Sequence, residues 1–559
     1  MKLKTNYLIV YVLFFSVMTC FGQISEEQIE KIDSLFTPWN TPNHPGGSVL
    51  ISKKGKTIFS KAYGLASIEY NIPNTENTLF NIGSISKQFT AMGIVFLEEQ
   101  GKFSFDDDIR KYIPELVNYD KIITIRQLLN HTSGLRDLHG LLGIAGWRPA
   151  DLETNEDVYR VFENQKELNF NPGDEFSYSN TGYIFLAKII ENVSGISFEQ
   201  WMRQNIFMPL GMKNTYVEVQ HDRVVANNAT SYYLGNEFKR AIEYWGYFGS
   251  GNMHSTTEDL NIWLQNFSLP QEGWESAFKK LLLTTPLNNG FETNYGFGVR
   301  IESYEGRKVI QHGGSVGGFR AITRVFPEEQ LNIVILSNYS RSSIGSKTNK
   351  ISNIFFSKSD ETPIKKIEQI SRLPEFVLLS NKKLKQFEGV YWSDSEKSGR
   401  KIYVKNDTLR YSSSTRNEWA LVPTNERTFI MMHPNIKPVV TFDNKTHQMT
   451  IEIGDNLPGI FSFLQSNVDK NTNDLNAFVG HYYSPELKTT YSVFNEGKDI
   501  YIEHARHGKM KLNQLYNTVF STDEPVGIVE ISRSKSGEVL GLTMSNGRTR
   551  NVWFKSVKF

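Results

Sequence analysis

Apolar and polar positions along the chain fall into blocks of different period. Ser48-Val49-Leu50-Ile51-Ser52 and Thr57-Ile58-Phe59-Ser60 flank the polar break Lys53-Lys54-Gly55-Lys56, which predicts two strands about a turn. From about residue 87 the period becomes helical: Phe89, Met92, Val95 and Phe96 recur at three- and four-residue steps, and Gly101 stands where a helix stop belongs. The middle of the chain stays mostly helical, including Thr181 to Val193, which Gly195 ends. Strand patterns return at Arg307 to Gln311, Phe319 to Phe326 and Leu331 to Leu336, with Pro327-Glu328-Glu329-Gln330 as a turn. Strands at both ends of this region with helices between predict one antiparallel sheet closed by both of its termini.

Beyond a mixed, proline-punctuated connector at 357–383 the pattern shortens. Alternating runs such as Lys401-Ile402-Tyr403-Val404 and Met449-Thr450-Ile451-Glu452-Ile453 are separated by Asn, Asp and Gly. Leu384-x-x-Phe387-x-Gly389-x-Tyr391-Trp392-Ser393 recurs as Leu475-x-x-Phe478-x-Gly480-x-Tyr482-Tyr483-Ser484, an offset of 91 residues. Two copies of an all-β unit account for this most simply. Much of the 13% aromatic content then becomes barrel core, although the same rings could form a sugar-binding platform and spacing does not separate the two.

Length changes the picture only slightly: 559 residues at roughly 150 per domain suggest three or four domains. Charge changes it more. Sixty-one Lys plus Arg against 60 Asp plus Glu leave no basic excess for a phosphate backbone, so no nucleic-acid partner is expected. The single cysteine, Cys20, excludes an intramolecular disulfide framework and a cysteine-based metal site. Lys2 and Lys4 before the apolar run Leu8 to Phe15, with Gly22-Gln23 after it, predict a secretory signal peptide cleaved after Gly22. The mature chain is then expected to be periplasmic with no membrane span; Val17-Met18-Thr19 suits lipid attachment at Cys20 poorly. The expected organisation is a signal peptide (1–22), a catalytic domain (23–356), a linker (357–383), a first β-barrel-like domain (384–466), a short linker (467–474) and a second β-barrel-like domain (475–559).

Chemistry concentrates in three places. In Phe80-Asn81-Ile82-Gly83-Ser84-Ile85-Ser86-Lys87, Ser84 and Lys87 lie three apart at a helix start and project from one face of its first turn. A serine hydroxyl needs a neighbouring base, and a desolvated lysine can serve once its pKa falls. Pro172-Gly173-x-x-Phe176-x-Tyr178-Ser179-Asn180 puts Tyr178 and Asn180 on one side of an extended loop. Gln311-His312-Gly313-Gly314-Ser315 follows a strand, with glycines where a substrate can approach the backbone. Singly, each has a plain structural explanation: a helix cap, a buried tyrosine, a turn. His504-Ala505-Arg506-His507 is read as a strand with its rings on opposite faces, His131 as structural, and Asp106-Asp107-Asp108 as a solvated helix entry. No metal site and no cofactor are expected.

Together and in this order, the three stretches resemble the serine β-lactamase and penicillin-binding superfamily, in its class C-like branch with D-aminopeptidases, DD-carboxypeptidases and esterases. Leu128-Leu129-Asn130-His131-Thr132-Ser133-Gly134-Leu135, Pro209-Leu210-Gly211-Met212 and Tyr295-Gly296-Phe297-Gly298 extend the match over about residues 25 to 355. The resemblance implies an α+β catalytic domain, an antiparallel sheet flanked by helices with a helical subdomain. It implies Ser84 as nucleophile, Lys87 and Tyr178 sharing the base role, and Tyr178 activating the deacylating water. It further implies Asn180, His312 and Gly314 against the substrate, and the backbone N–H groups of Ser84 and Ser315 as oxyanion hole. The departure is His312, where many relatives carry lysine. A neutral imidazole should anchor a carboxylate weakly, and His312→Lys should then improve penicillin acylation.

The resulting expectation is a secreted serine hydrolase of a small amide, peptide or ester, peptidoglycan-derived substrates included, with D-aminopeptidase-like work its most specific form. A penicillin-binding DD-carboxypeptidase or β-lactamase is the alternative within the fold. A weakly catalytic binding or sensor protein using its barrels is the alternative outside it. The barrels are also candidates to gate the cleft with a loop, as similar domains do in D-aminopeptidases.

Overall fold

The computed structural model describes residues 24–557 apart from 117–118, 221, 357–375, 415–416, 434–436, 454–457 and 465–474. The signal-peptide reading and most of both linkers therefore lie outside the described residues.

Strands β1 (Gly47–Lys53) and β2 (Lys56–Tyr63) join four strands from far later in the chain, β3 (Arg300–Tyr304), β4 (Arg307–Val316), β5 (Phe319–Phe326) and β6 (Leu331–Ser337). They form a six-stranded antiparallel sheet in the order β3-β4-β5-β6-β1-β2, with β1 and β6 paired from Gly47↔Ser337 to Lys53↔Leu331. The period-two pattern assigns the faces. Val49, Ile51, Ile333 and Ile335 pack with Ile32 and Ile351 of the two terminal helices, whereas Val334 and Leu336 face the main core. Between the two halves of the sheet the chain is mostly helical. Helix α1 (Ser86–Glu99) is buried almost throughout its length, so its mixed polar and apolar start is enclosed by protein on every side.

The C-terminal repeat folds as two closed eight-stranded barrels, Gly389 to Leu464 and Gly480 to Val557. Each begins with a short helical turn and a tyrosine that closes it: Tyr391 Oη donates to the Phe387 carbonyl (3.1 Å), and Tyr482 Oη to that of Phe478 (2.7 Å). The shared Leu-x-x-Phe-x-Gly-x-Tyr signature thus encodes a barrel plug.

The two barrels relate differently to the rest. The first has its own apolar core. The core of the second is continuous with that of the catalytic domain. Contact runs through the helix Leu138–Ala145, whose glycines mark close approaches of barrel backbone and proline. A Cβ on Gly140 would lie 2.7 Å from the Asn546 carbonyl oxygen, and one on Gly143 2.8 Å from Pro525. Tyr491 donates to the Ile144 carbonyl (2.9 Å) and His507 Nε2 to that of Gly143 (2.8 Å). His507 corrects the sequence reading: Ala505 to His507 form a turn between two strands, so the His504 and His507 rings come together at 4.8 Å instead of pointing apart. The acidic run is a helix entry, with Asp106 exposed and Asp108 capping a 3-10 turn, and its carboxylates are paired, Asp106 with Arg126 and Asp107 with Lys111 and Tyr112.

Candidate active site

Ser84 sits in the 3-10 turn Gly83–Ile85, which runs directly into α1 at Ser86. The turn is pressed against β4. Gly83 has φ +51°, and a Cβ there would lie 2.7 Å from Ser315 N; a Cβ on Gly314 would lie 1.9 Å from the Ile82 carbonyl oxygen. Only glycine at both positions lets the strand and the turn approach this closely. Ser315 N consequently lies beside the nucleophile's own turn.

Lys87 is fully buried one helical turn after Ser84. Its Nζ lies 3.2 Å from Ser84 Oγ and donates to Asn180 Oδ1 (2.8 Å) and the Ser250 carbonyl (2.8 Å). Burial, reinforced by the charge of Arg548 and opposed by that of Asp137, holds its pKa well below the usual lysine range. A neutral amine has two N–H bonds and one lone pair. The two carbonyl acceptors take the N–H bonds, which leaves the lone pair for the Ser84 hydroxyl hydrogen.

Tyr178 reaches the same hydroxyl from its loop. Burial pushes its pKa up to about 12, against its hydrogen bond with Ser84 and the positive charge of Arg548. It is therefore a proton donor at neutral pH. The loop is tied down by His131, whose carbonyl accepts from Ser177 N (2.9 Å) and whose Nδ1 accepts from Ser179 N (3.1 Å). Its ring lies 4.3 Å from that of Tyr178, so the Asn130-His131-Thr132-Ser133-Gly134 stretch acts as a brace. Asn180 opens the helix Asn180–Ser194, and its N–H donates to Asp137 Oδ2 (2.8 Å).

Ser84, Tyr178, Asn180 and Ser315 line a cavity of about 230 Å³. Lys87, His312 and Gly314 are not part of that lining: Lys87 acts on it through its contact with Ser84, whereas His312 and Gly314, suggested by the sequence to meet the substrate, are buried beside it. His312 is 4% exposed. Its Nδ1 faces the Gly313 carbonyl at 2.7 Å and must donate, so Nε2 accepts from Tyr295 Oη at 2.9 Å. Burial depresses its pKa to about 3, and it is a neutral spacer behind Tyr178. Gly314 provides clearance against Ile82.

The sequence reading missed His139, Trp245, Tyr247 and Arg548, which line the cavity, and the Ser250 carbonyl. His139 Nε2 pairs with Tyr247 Oη (2.9 Å) and Nδ1 with Glu153 (3.3 Å). Arg548 comes from the second barrel; its only sequence signal is the hairpin dipeptide Asn546-Gly547 before it. Among the described residues, no group of three or more His, Cys, Asp or Glu is placed to hold a metal ion. No described helix is long and apolar enough to cross a membrane.

Comparison with known proteins agrees with this geometry. The chain is 30% identical over 335 residues to penicillin-binding protein 4* of Bacillus subtilis, covering 56% of this chain and 73% of that protein. It is 27% identical over 297 residues to a D-aminopeptidase of Gluconobacter oxydans, covering 53% of this chain and only 56% of that enzyme. Among solved structures, the octameric penicillin-binding protein homologue from Pyrococcus abyssi shares the fold at a TM-score of 0.52 and 23% identity, over 78% of this chain and 99% of that one. The Beta-lactamase family model matches residues 32–350, more than half of the chain, and with Ser84, Tyr178 and Asn180 at one cavity and Lys87 in contact with Ser84 and Asn180 the protein belongs to that family of serine hydrolases.

Proposed function

We propose that the protein hydrolyses a small amide, peptide or ester through an acyl-enzyme on Ser84. The observation that carries this is the 3.2 Å contact between Ser84 Oγ and a buried Lys87 whose two other partners are carbonyl oxygens. Lys87 takes the hydroxyl proton as Ser84 Oγ attacks the carbonyl carbon. The oxyanion forms against the N–H groups of Ser84 and Ser315, and protonated Tyr178 delivers a proton to the leaving group. Water then attacks the acyl carbon, its proton returning through the same pair, and Ser84 is released.

Two substrate classes have support. The D-aminopeptidase form rests on the relatives of that name and on a barrel residue, Arg548, in the cavity wall. The chain spans little more than half of those enzymes, and among the described residues lining the cavity there is no carboxylate to receive a substrate ammonium group. The DD-carboxypeptidase form, supported by the penicillin-binding relative, meets a cation at the wall instead. We further propose export to the periplasm on the residue pattern of 1–22; amino-terminal sequencing of the exported protein should begin at Gln23.

The test is stopped-flow p-nitrophenol release from p-nitrophenyl acetate, wild type beside Ser84→Ala. A burst equal to the enzyme concentration, absent in the variant, is the expected result. Turnover that survives Ser84→Ala would remove the proposal.

A further inference from the structure

The second barrel puts one charged side chain into the cavity. Strands β7 (Val539–Asn546) and β8 (Thr549–Val557) are joined by the two-residue turn Gly547-Arg548, and the turn is fastened to the catalytic domain through its backbone. The Arg548 carbonyl accepts from Asp137 N (3.1 Å) and Asn169 Nδ2 (2.8 Å), and Thr549 Oγ1 donates to the Asp137 carbonyl (2.6 Å). These bonds fix the tip without using the Arg548 side chain.

The guanidinium lies over the Tyr178 ring at 5.3 Å, and one amino group lies 3.3 Å from Asp137 Oδ1. Asp137 is already engaged: Oδ2 accepts from Asn180 N, and Oδ1 also faces His139 N. A single long contact uses one of the five N–H bonds of the planar fork, and the side chain remains 40% exposed on the cavity wall. Among the described residues that line the cavity, Arg548 stands with no Asp or Glu. His312 is sealed off and supplies no cation.

Resting on the Ser84 reading above, we propose that the substrate carries a free carboxylate and that Arg548 of the second barrel binds it. The barrel is then part of the active site. The anionic group fills the outward N–H pair of a guanidinium whose orientation is set by Asp137 on one side and by the Tyr178 ring beneath. A bidentate carboxylate fits that fork, whereas a substrate ammonium would face like charge.

The test uses the full chain, Arg548→Gln and Arg548→Lys, with kcat/KM measured on two matched pairs. p-Nitrophenyl hydrogen adipate against its methyl ester places the carboxylate on the acyl side. 4-Acetoxybenzoate against methyl 4-acetoxybenzoate places it on the leaving group. In one arm the acid should be preferred by wild type, and Arg548→Gln should lower the acid-to-ester ratio roughly 10- to 100-fold, with Arg548→Lys between. The arm that responds identifies the side of the scissile bond. Ratios in both arms that stay within about two-fold of wild type in Arg548→Gln would overturn the proposal while leaving Ser84 catalysis intact. Turnover of all four esters that survives Ser84→Ala would instead remove the acyl-enzyme reading, and this one with it.

Discussion

The union of second barrel and catalytic domain turns on Arg136, and its removal has a calculable effect. Arg136 is 1% exposed and donates to the Arg550 carbonyl (3.0 Å), the Asn551 carbonyl (3.1 Å), Glu486 Oε2 (2.6 Å) and Gln165 Oε1 (2.7 Å). Three of those partners belong to the barrel. In Arg136→Met, Glu486, its side chain only 11% exposed, would keep a carboxylate without its cation, and two carbonyls would lose their donors. Breaking a buried pair in this way costs about 3–5 kcal/mol. The loss falls on docking, because neither the six-stranded sheet nor the barrel ladder is touched. Hydrogen exchange read by mass spectrometry should therefore show peptides 136–151 and 545–551 exchanging faster by roughly two to four orders of magnitude, with the first barrel unchanged. Glu486 gives the effect a pH sign. Burial already raises its pKa despite Arg136, and without Arg136 it rises further. Protonation then relieves the stranded charge, so the defect should be larger at pH 8 than at pH 5, and Arg136→Met with Glu486→Gln should recover part of it. Exchange in the two interface peptides within ten-fold of wild type at pH 8 would refute the argument.

Three further outcomes follow from the site. With a neutral ester, kcat/KM should rise with pH as Lys87 loses its proton and level off well below 10.5. It should show no alkaline fall before Tyr178 ionises near 12; a rise centred at 10.5 would mean an ordinary hydrated amine. Gly314→Ala forces a methyl to 1.9 Å from the Ile82 carbonyl oxygen and must shift the Ser84 turn, so ester turnover should fall by about 10²-fold with a lowered Tm; unaltered kinetics would show that strand and turn can separate freely. His312→Lys, expected from sequence to improve penicillin acylation, should instead cost roughly 2 kcal/mol or more by burying an amine beside Tyr295, with no gain in fluorescent penicillin labelling, and a gain would place position 312 at the cavity.

Most of the scaffold was legible because local pattern and global fold agree. Leu331–Ser337 reads as a strand because its short run is almost wholly apolar, and the structure packs its alternate residues into two different cores. The 91-residue repeat announced two barrels because its Phe and Tyr positions do the same job twice, as the paired Tyr391 and Tyr482 hydrogen bonds to the Phe387 and Phe478 carbonyls show. His504 and His507 were misread for the converse reason. A strand period was extended through Ala505 and Arg506, where the chain turns, and a turn reverses which face a ring occupies.

The site was legible only as far as its parts lie close in sequence or carry a motif. Ser84 and Lys87 share one helical turn, and Tyr178 and Asn180 one loop, so spacing alone predicts their company. His312 shows the limit of a motif. Its place in the sequence is that of a substrate-facing cation, yet its environment is set by Tyr295 and Gly313, which make it neutral and turn it inward. The charge missing there is supplied by Arg548, 236 positions later in the numbering and on another domain. Nothing local to Asn546-Gly547-Arg548-Thr549 distinguishes it from a surface hairpin. Its meaning comes from Gly140 and Gly143, the two small residues on one helix that let the barrel sit close enough for the arginine to reach Tyr178. A glycine pair that weakens a short helix is thus what brings a barrel turn to the wall of the cavity, and the electrostatics of that cavity follow from docking as much as from the catalytic domain itself.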